Sequence, residues 1–169
     1  MKMKFDKNLT KPWREIFDPV AQIFLNLAVS IRNHIQGKNM FKSQFCEVSY
    51  LQNINAVLCN WKKSCSNDDY RNPLKYGLEL INEKNATTWI TDTTNGFEST
   101  NEDTQWMATE FIPKAINSSC NTIIFIIKND SPLKKEIELH SNLLKQFFEV
   151  ELVESLMMLT NRSNKNMLP

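Results

Sequence analysis

The run Thr122-Ile123-Ile124-Phe125-Ile126-Ile127 constrains this chain more than any other segment. Successive residues of an extended strand point to opposite faces, so a strand with one wet face alternates apolar and polar side chains. Here both sets are apolar, which fits a central strand covered by helices on both sides. With 169 residues, 41% of them apolar, the chain can fill the core such a strand demands without a disulfide or a metal.

The rest of the chain supplies partners for that strand. Phe45-Cys46-Glu47-Val48-Ser49-Tyr50 and Asn55-Ala56-Val57-Leu58-Cys59-Asn60-Trp61 are strand-like and separated by the polar link Gln52-Asn53, which predicts an antiparallel hairpin. Ser66-Asn67-Asp68-Asp69 offers helix caps before a face of Tyr70, Leu74, Gly77, Leu78 and Ile81, with Pro73 expected to delay or bend the helix. Thr87-Thr88-Trp89-Ile90-Thr91-Asp92 reads as a strand ending in the turn Thr93-Thr94-Asn95-Gly96. Ser99 and Glu102 read as a capping box for a helix carrying Trp106, Met107, Phe111, Ala115 and Ile116, in which Pro113 predicts a kink. After the central strand, Ser131-Pro132 opens a helix with Leu133, Ile137, His140, Leu143 and Leu144; a last strand over 147–152 and a closing helix over 153–159 complete the pattern. The predicted order over 41–160 is β-β-α-β-α-β-α-β-α, a mixed sheet of about five strands with helices packed on it, with Leu58, Leu78, Trp89, Ile124 and Ile126 in its core. A polar tail occupies 161–169.

Residues 1–40 form a distinct extension: they carry seven basic and three acidic side chains, whereas 41–169 carry thirteen and sixteen. Asp18 and Pro19 open an amphipathic helix over about 19–35, with Val20, Ile23, Phe24, Leu27, Ile31 and Ile35 on one stripe and Gly37 as its stop. That stripe needs a cover, in the same chain, in a second copy or at a membrane surface; its polar face of Gln22, Asn26, Ser30 and Asn33, without a row of lysines, favours the first two. Because the helices of 41–160 are numerous enough to cover both sheet faces, self-association through Phe24, Leu27 and Ile31 is the expectation, giving a homodimer.

Function classes fall away one by one. A net charge of +1 without a basic face argues against a nucleic-acid partner. Three glycines, Gly37, Gly77 and Gly96, cannot write a phosphate-cradling motif, so no nucleotide cofactor is expected. Cys46, Cys59, Cys65 and Cys120 form no CxxC, and with His34 and His140 they give no zinc-ligand spacing; free thiols in a reducing cytoplasm are expected. No apolar stretch reaches the roughly 20 residues of a membrane span, so no membrane insertion is expected. Neither histidine is tied by spacing to a serine or cysteine nucleophile, and Asp68, Asp69, Glu102 and Asp103 sit where helix caps need negative charge. Trp61, Trp89, Trp106, Phe111 and Phe125 serve either as core or as the lining of an apolar ligand cavity.

The block Trp89-Ile90-Thr91-Asp92, then Asp103-Thr104-Gln105-Trp106 and Glu110-Phe111-Ile112-Pro113-Lys114-Ala115-Ile116, followed by the strand Thr122-Ile123-Ile124-Phe125-Ile126-Ile127, resembles the STAS-like family, which includes the sporulation anti-sigma-factor antagonists. The likeness is greatest to an uncharacterised single-domain bacterial branch and covers about 41–160. It implies a βαβ-rich sheet, no catalysis, no cofactor or metal, and a role in protein–protein signalling or in sensing a small apolar ligand or lipid. It makes Asp92, Thr93, Thr94 and Trp106 the expected ligand or partner surface. The Asp-Ser pair of phosphorylatable antagonists is absent; Ser99 and Thr100 are the remaining candidate phospho-acceptors, and turn or cap duty is the competing use.

Overall fold

In the computed structural model the described residues are 40–96 and 100–159. The chain divides into the units Met1–Lys38 and Asn39–Pro169, and every described residue belongs to the second. The expected helix over 19–35, its Phe24, Leu27 and Ile31, the residue Ser99 and the tail 161–169 lie outside the described residues.

Six strands form one sheet in the order of the chain: β1 Met40–Lys42, β2 Cys46–Leu51, β3 Ala56–Trp61, β4 Thr88–Asp92, β5 Thr122–Ile126 and β6 Glu149–Val153. The hairpin is present, with Cys46 opposite Trp61 and Leu51 opposite Ala56. A 3-10 turn over Gln52–Ile54 and Asn55 at φ 48° close it. Asparagine tolerates this left-handed conformation better than most residues, and here the Tyr50 hydroxyl donates to Asn55 Oδ1 at 2.9 Å. The sequence missed β1, which adds a sixth strand antiparallel to β2. Glu47 ties this edge together, with Lys42 and Lys62 each 3.0 Å from its carboxylate.

From β3 onward all pairings are parallel, β3 to β4 to β5 to β6. Helix α1, Asp68–Lys84, makes the first crossover. Segments α2 (Asn101–Trp106), a π-helical turn (Met107–Phe111) and α3 (Ile112–Ile116) make the second, and α4 (Lys134–Leu144) the third. Each crossover steps one strand in the same direction, and right-handed connections then put every helix on the same face. The packing agrees. Tyr70, Leu74 and Ile81 of α1, Phe111, Ala115 and Ile137 share one core with Val57, Cys59, Trp61, Trp89, Ile123 and Phe125. The expectation of helices on both sides holds in part: the three crossovers serve one face, and the closing helical turn over 156–159 brings Leu156 and Leu159 to the other. The second face is a separate apolar cluster of Ala56, Ile90, Ile124, Ile126, Val153 and Leu159, bordered by Ile54 and Leu156. The expected core residues Ile124, Ile126, Trp89 and Leu78 are buried, and Leu58 is partly so.

Two prolines leave different marks on their helices. Pro73 lies inside α1 without delaying its start; it removes only the N–H that would reach the carbonyl of Asp69 in the exposed first turn. Ahead of Pro113 the helix widens: the Ile112 N–H reaches back five residues to the carbonyl of Met107.

Gly77 lets α1 lie against the sheet, because a Cβ there would overlap the indole of buried Trp89. Alanine favours helix over glycine by up to about 1 kcal/mol, yet forcing atoms into a packed core costs about 1–3 kcal/mol. Gly77→Ala is expected to lower the midpoint of urea unfolding with an unchanged slope; a raised midpoint would show that the indole has room to move.

Candidate functional site

Parallel α/β sheets usually bind ligands beyond the C-terminal ends of their strands, at a point where neighbouring crossovers go to opposite faces. A sheet wound in one direction has no such crevice between its parallel strands. Two features nevertheless concentrate chemistry here: a buried carboxylate beyond the strand ends, and a cavity between sheet and helices.

The carboxylate is Asp103, whose surface is wholly buried. Thr100 caps α2 by accepting the Asp103 N–H at 3.1 Å, and the Thr100 hydroxyl donates back to Asp103 Oδ2 at 2.9 Å. The cap is therefore Thr100, paired with Asp103 three residues on, one residue beyond the expected Ser99 with Glu102. The same carboxylate accepts the backbone N–H of Asn67 at 3.0 Å and Arg71 Nε at 2.8 Å. Asn67 stands at φ 55° just before α1, a costly conformation that this bond helps to hold. One carboxylate thus fixes the starts of two helices. Burial pushes its pKa up, but the Asn67 N–H, the Thr100 hydroxyl and the Arg71 guanidinium outweigh burial and hold it below the ordinary aspartate value.

The expected surface residues have three separate uses. Asp92 Oδ1 accepts the Thr94 N–H at 3.0 Å, a turn that bends the chain off β4. Thr93 is corrected from surface to interior: it is fully buried, and its N–H and hydroxyl donate to the carbonyl of Ile126 at 3.0 and 2.9 Å. Trp106 packs beneath Arg71 and Lys75, whose cationic groups lie 5.7 and 5.8 Å from its ring centre. Thr100 is occupied by its cap, and a phosphate on its hydroxyl would face the Asp103 carboxylate directly, which opposes its candidacy as phospho-acceptor.

The cavity, of about 120 Å³, lies between the helical face of the sheet and all three crossovers. Of the aromatics singled out in the sequence, Trp89, Phe111 and Phe125 line it. Trp61 does not: it stacks on Tyr70 with ring centres 5.4 Å apart and donates its Nε1–H to Thr91 Oγ1 at 3.1 Å. The π-helical turn forms part of the wall through Met107, Ala108 and Phe111. The α4 wall includes His140 and the half-exposed Leu143. Burial holds the imidazole below its usual pKa against the opposing charge of Glu136, so it is neutral at pH 7. At about 24 cal/mol per Å³, a void of this size left empty costs about 3 kcal/mol.

The thiols are held in their protonated form or out of reach. The four thiols are free; Cys46 and Cys59 are wholly buried, and burial pushes Cys65 and Cys120 up to about 11. Among the described residues no group of three His, Cys, Asp or Glu side chains can hold a metal ion, and no helix is long and apolar enough to cross a membrane. No protein-family model, curated protein or solved structure matches the chain.

Asp103→Asn is expected to cost about 1–3 kcal/mol, because the donors around it lose their charged acceptor. The folded pKa of Asp103 is depressed, so its contribution is present above the unfolded value of about 3.9 and is lost as pH falls through the folded one. Urea titrations from pH 7 to 2 are expected to show a shallower acid loss in the variant than in the wild type, and parallel curves would assign the acid transition to other carboxylates. Separately, a thiol reagent at pH 7 is expected to label the native protein far more slowly than the urea-unfolded chain, in which all four thiols react.

Proposed function

We propose that this chain is a non-enzymatic regulatory module of the STAS-like type that works by binding another protein in bacterial cytoplasmic signalling. The block from Trp89 to Ile116 with its following strand, and the alternation of strands and helices after an antiparallel hairpin, support the reading. The observation that carries it is a row of exposed apolar side chains on α4 and the turn after it. Leu139, Leu143 and Phe147 succeed one another at four-residue spacing and are 61%, 55% and 55% exposed. They flank β6, which pairs only with β5 among the described residues and so ends the sheet. Large apolar side chains grouped on a surface mark interaction sites, and an edge strand presents unpaired N–H and C=O groups to the same partner.

A photoreactive phenylalanine analogue placed at Leu143 in the full chain, expressed in its own host, tests this. Irradiation is expected to give a discrete covalent adduct, absent when the analogue replaces the exposed Glu79 on α1 and lost when Leu139→Glu and Phe147→Glu are added. An adduct of twice the chain mass would make the partner a second copy. Equal labelling at both positions, or none at Leu143, would sink the proposal.

A further inference from the structure

We infer that the cavity beneath α4 is a binding site for a small, neutral, ring-sized apolar molecule. The inference stands on the cavity alone and needs no protein partner.

Size sets the first limit. Folded interiors have few voids larger than a water molecule, and this one measures about 120 Å³. A dry engineered cavity of about 150 Å³ lined by Leu, Ile and Phe takes up benzene, whereas pockets for drug-sized ligands run to about 300–1,000 Å³. The space therefore suits a single ring and is too small for a nucleotide or a whole lipid chain. Chemistry sets the second limit. Trp89 and Phe125 on the sheet face Leu74 and Phe111 on the helices, and no lysine, arginine, aspartate or glutamate lines the space. A charged ligand would lose its hydration with nothing to replace it. The polar residues at the wall, Tyr70, Thr91, Thr104, Cys120 and His140, carry no formal charge at pH 7, so nothing there pairs with a charged ligand.

The void is also built into the fold. Gly77 lets Trp89 lie back against α1. The Trp89 and Phe111 rings meet edge to face at 5.4 Å, which fixes both as walls. The π-helical turn contributes Met107, Ala108 and Phe111 to the lining, and such turns occur frequently at functional sites. Leu143 lines the cavity while half-exposed, so the space borders solvent at α4.

The test uses the full chain with phenol, benzene and indole as probes and benzoate as the charged control, each at millimolar concentration. The three neutral probes are expected to raise the unfolding midpoint in a saturable way, since a ligand that binds only the folded state stabilises it; benzoate is not. In amide and indole NMR spectra of the wild type, the largest shifts are expected at the Trp89 side chain and the Phe111 and Ala115 amides. Ala115→Leu and Cys120→Met, which fill the space from two sides, are expected to weaken phenol binding by about tenfold or more. Absence of saturable binding by all three neutral probes, equal binding of benzoate, or shifts centred away from Trp89 and Phe111 would each overturn the assignment. The wild-type spectra decide it even if neither filled variant folds.

Discussion

The direction in which the chain winds through its sheet governs most of what this protein can do. After the hairpin, every strand is laid beside the last on the same side, and right-handed crossovers then have only one face on which to pack. That single choice separates the sheet into two unlike surfaces. One carries three helical crossovers and the large aromatic side chains; the other carries the smaller cluster around Ile90 and Ile126. It also removes the reversal in strand order at which doubly wound folds open a crevice for phosphates and nucleotides. Space for a ligand has to arise within the helical layer, and it does so where that layer is irregular.

Asp103 is the polar counterpart of that arrangement. The first two helices begin near the same end of the sheet, and each start leaves backbone N–H groups in need of acceptors. A neutral cap would satisfy one start. An ionised carboxylate, with about four lone-pair sites on its two oxygens, reaches both, and brings Arg71 with it, which in turn lies over Trp106. The position of the second crossover relative to the first therefore depends on one side chain, which is why its burial is tolerated: each of its oxygens has donors to replace the water it lost.

What the sequence revealed and what it concealed divide along the range of the forces involved. The central strand over 122–127 and the hairpin were legible because alternation and turn chemistry are local. Strand β1 was not, because three residues carry no period. The overlapping patterns Ser99-x-x-Glu102 and Thr100-x-x-Asp103 are equally good caps when read alone; Asn67 and Arg71, more than thirty residues away, favour the second. Thr93 has the composition of turn material and is instead locked to the carbonyl of Ile126. The sharing of one face by all the crossovers could not be seen in any window, since it depends on strand order, and it changed what the apolar residues of the second face require. Of the aromatics set apart in the sequence, only packing could sort Trp89, Phe111 and Phe125 into the cavity wall and Trp61 into the stack with Tyr70.

The widened turn at Met107–Phe111 sets the angular register of the helix after it. A five-residue hydrogen-bond loop holds one residue more than the helix on either side needs. Removing a single residue there would restore the ordinary ladder, but each residue of an α-helix turns about 100°, so Ala115 and everything beyond it would rotate by that angle and present a different side to the sheet. The inward-facing residues after the turn, Ala115 among them, are therefore set in register by the turn itself.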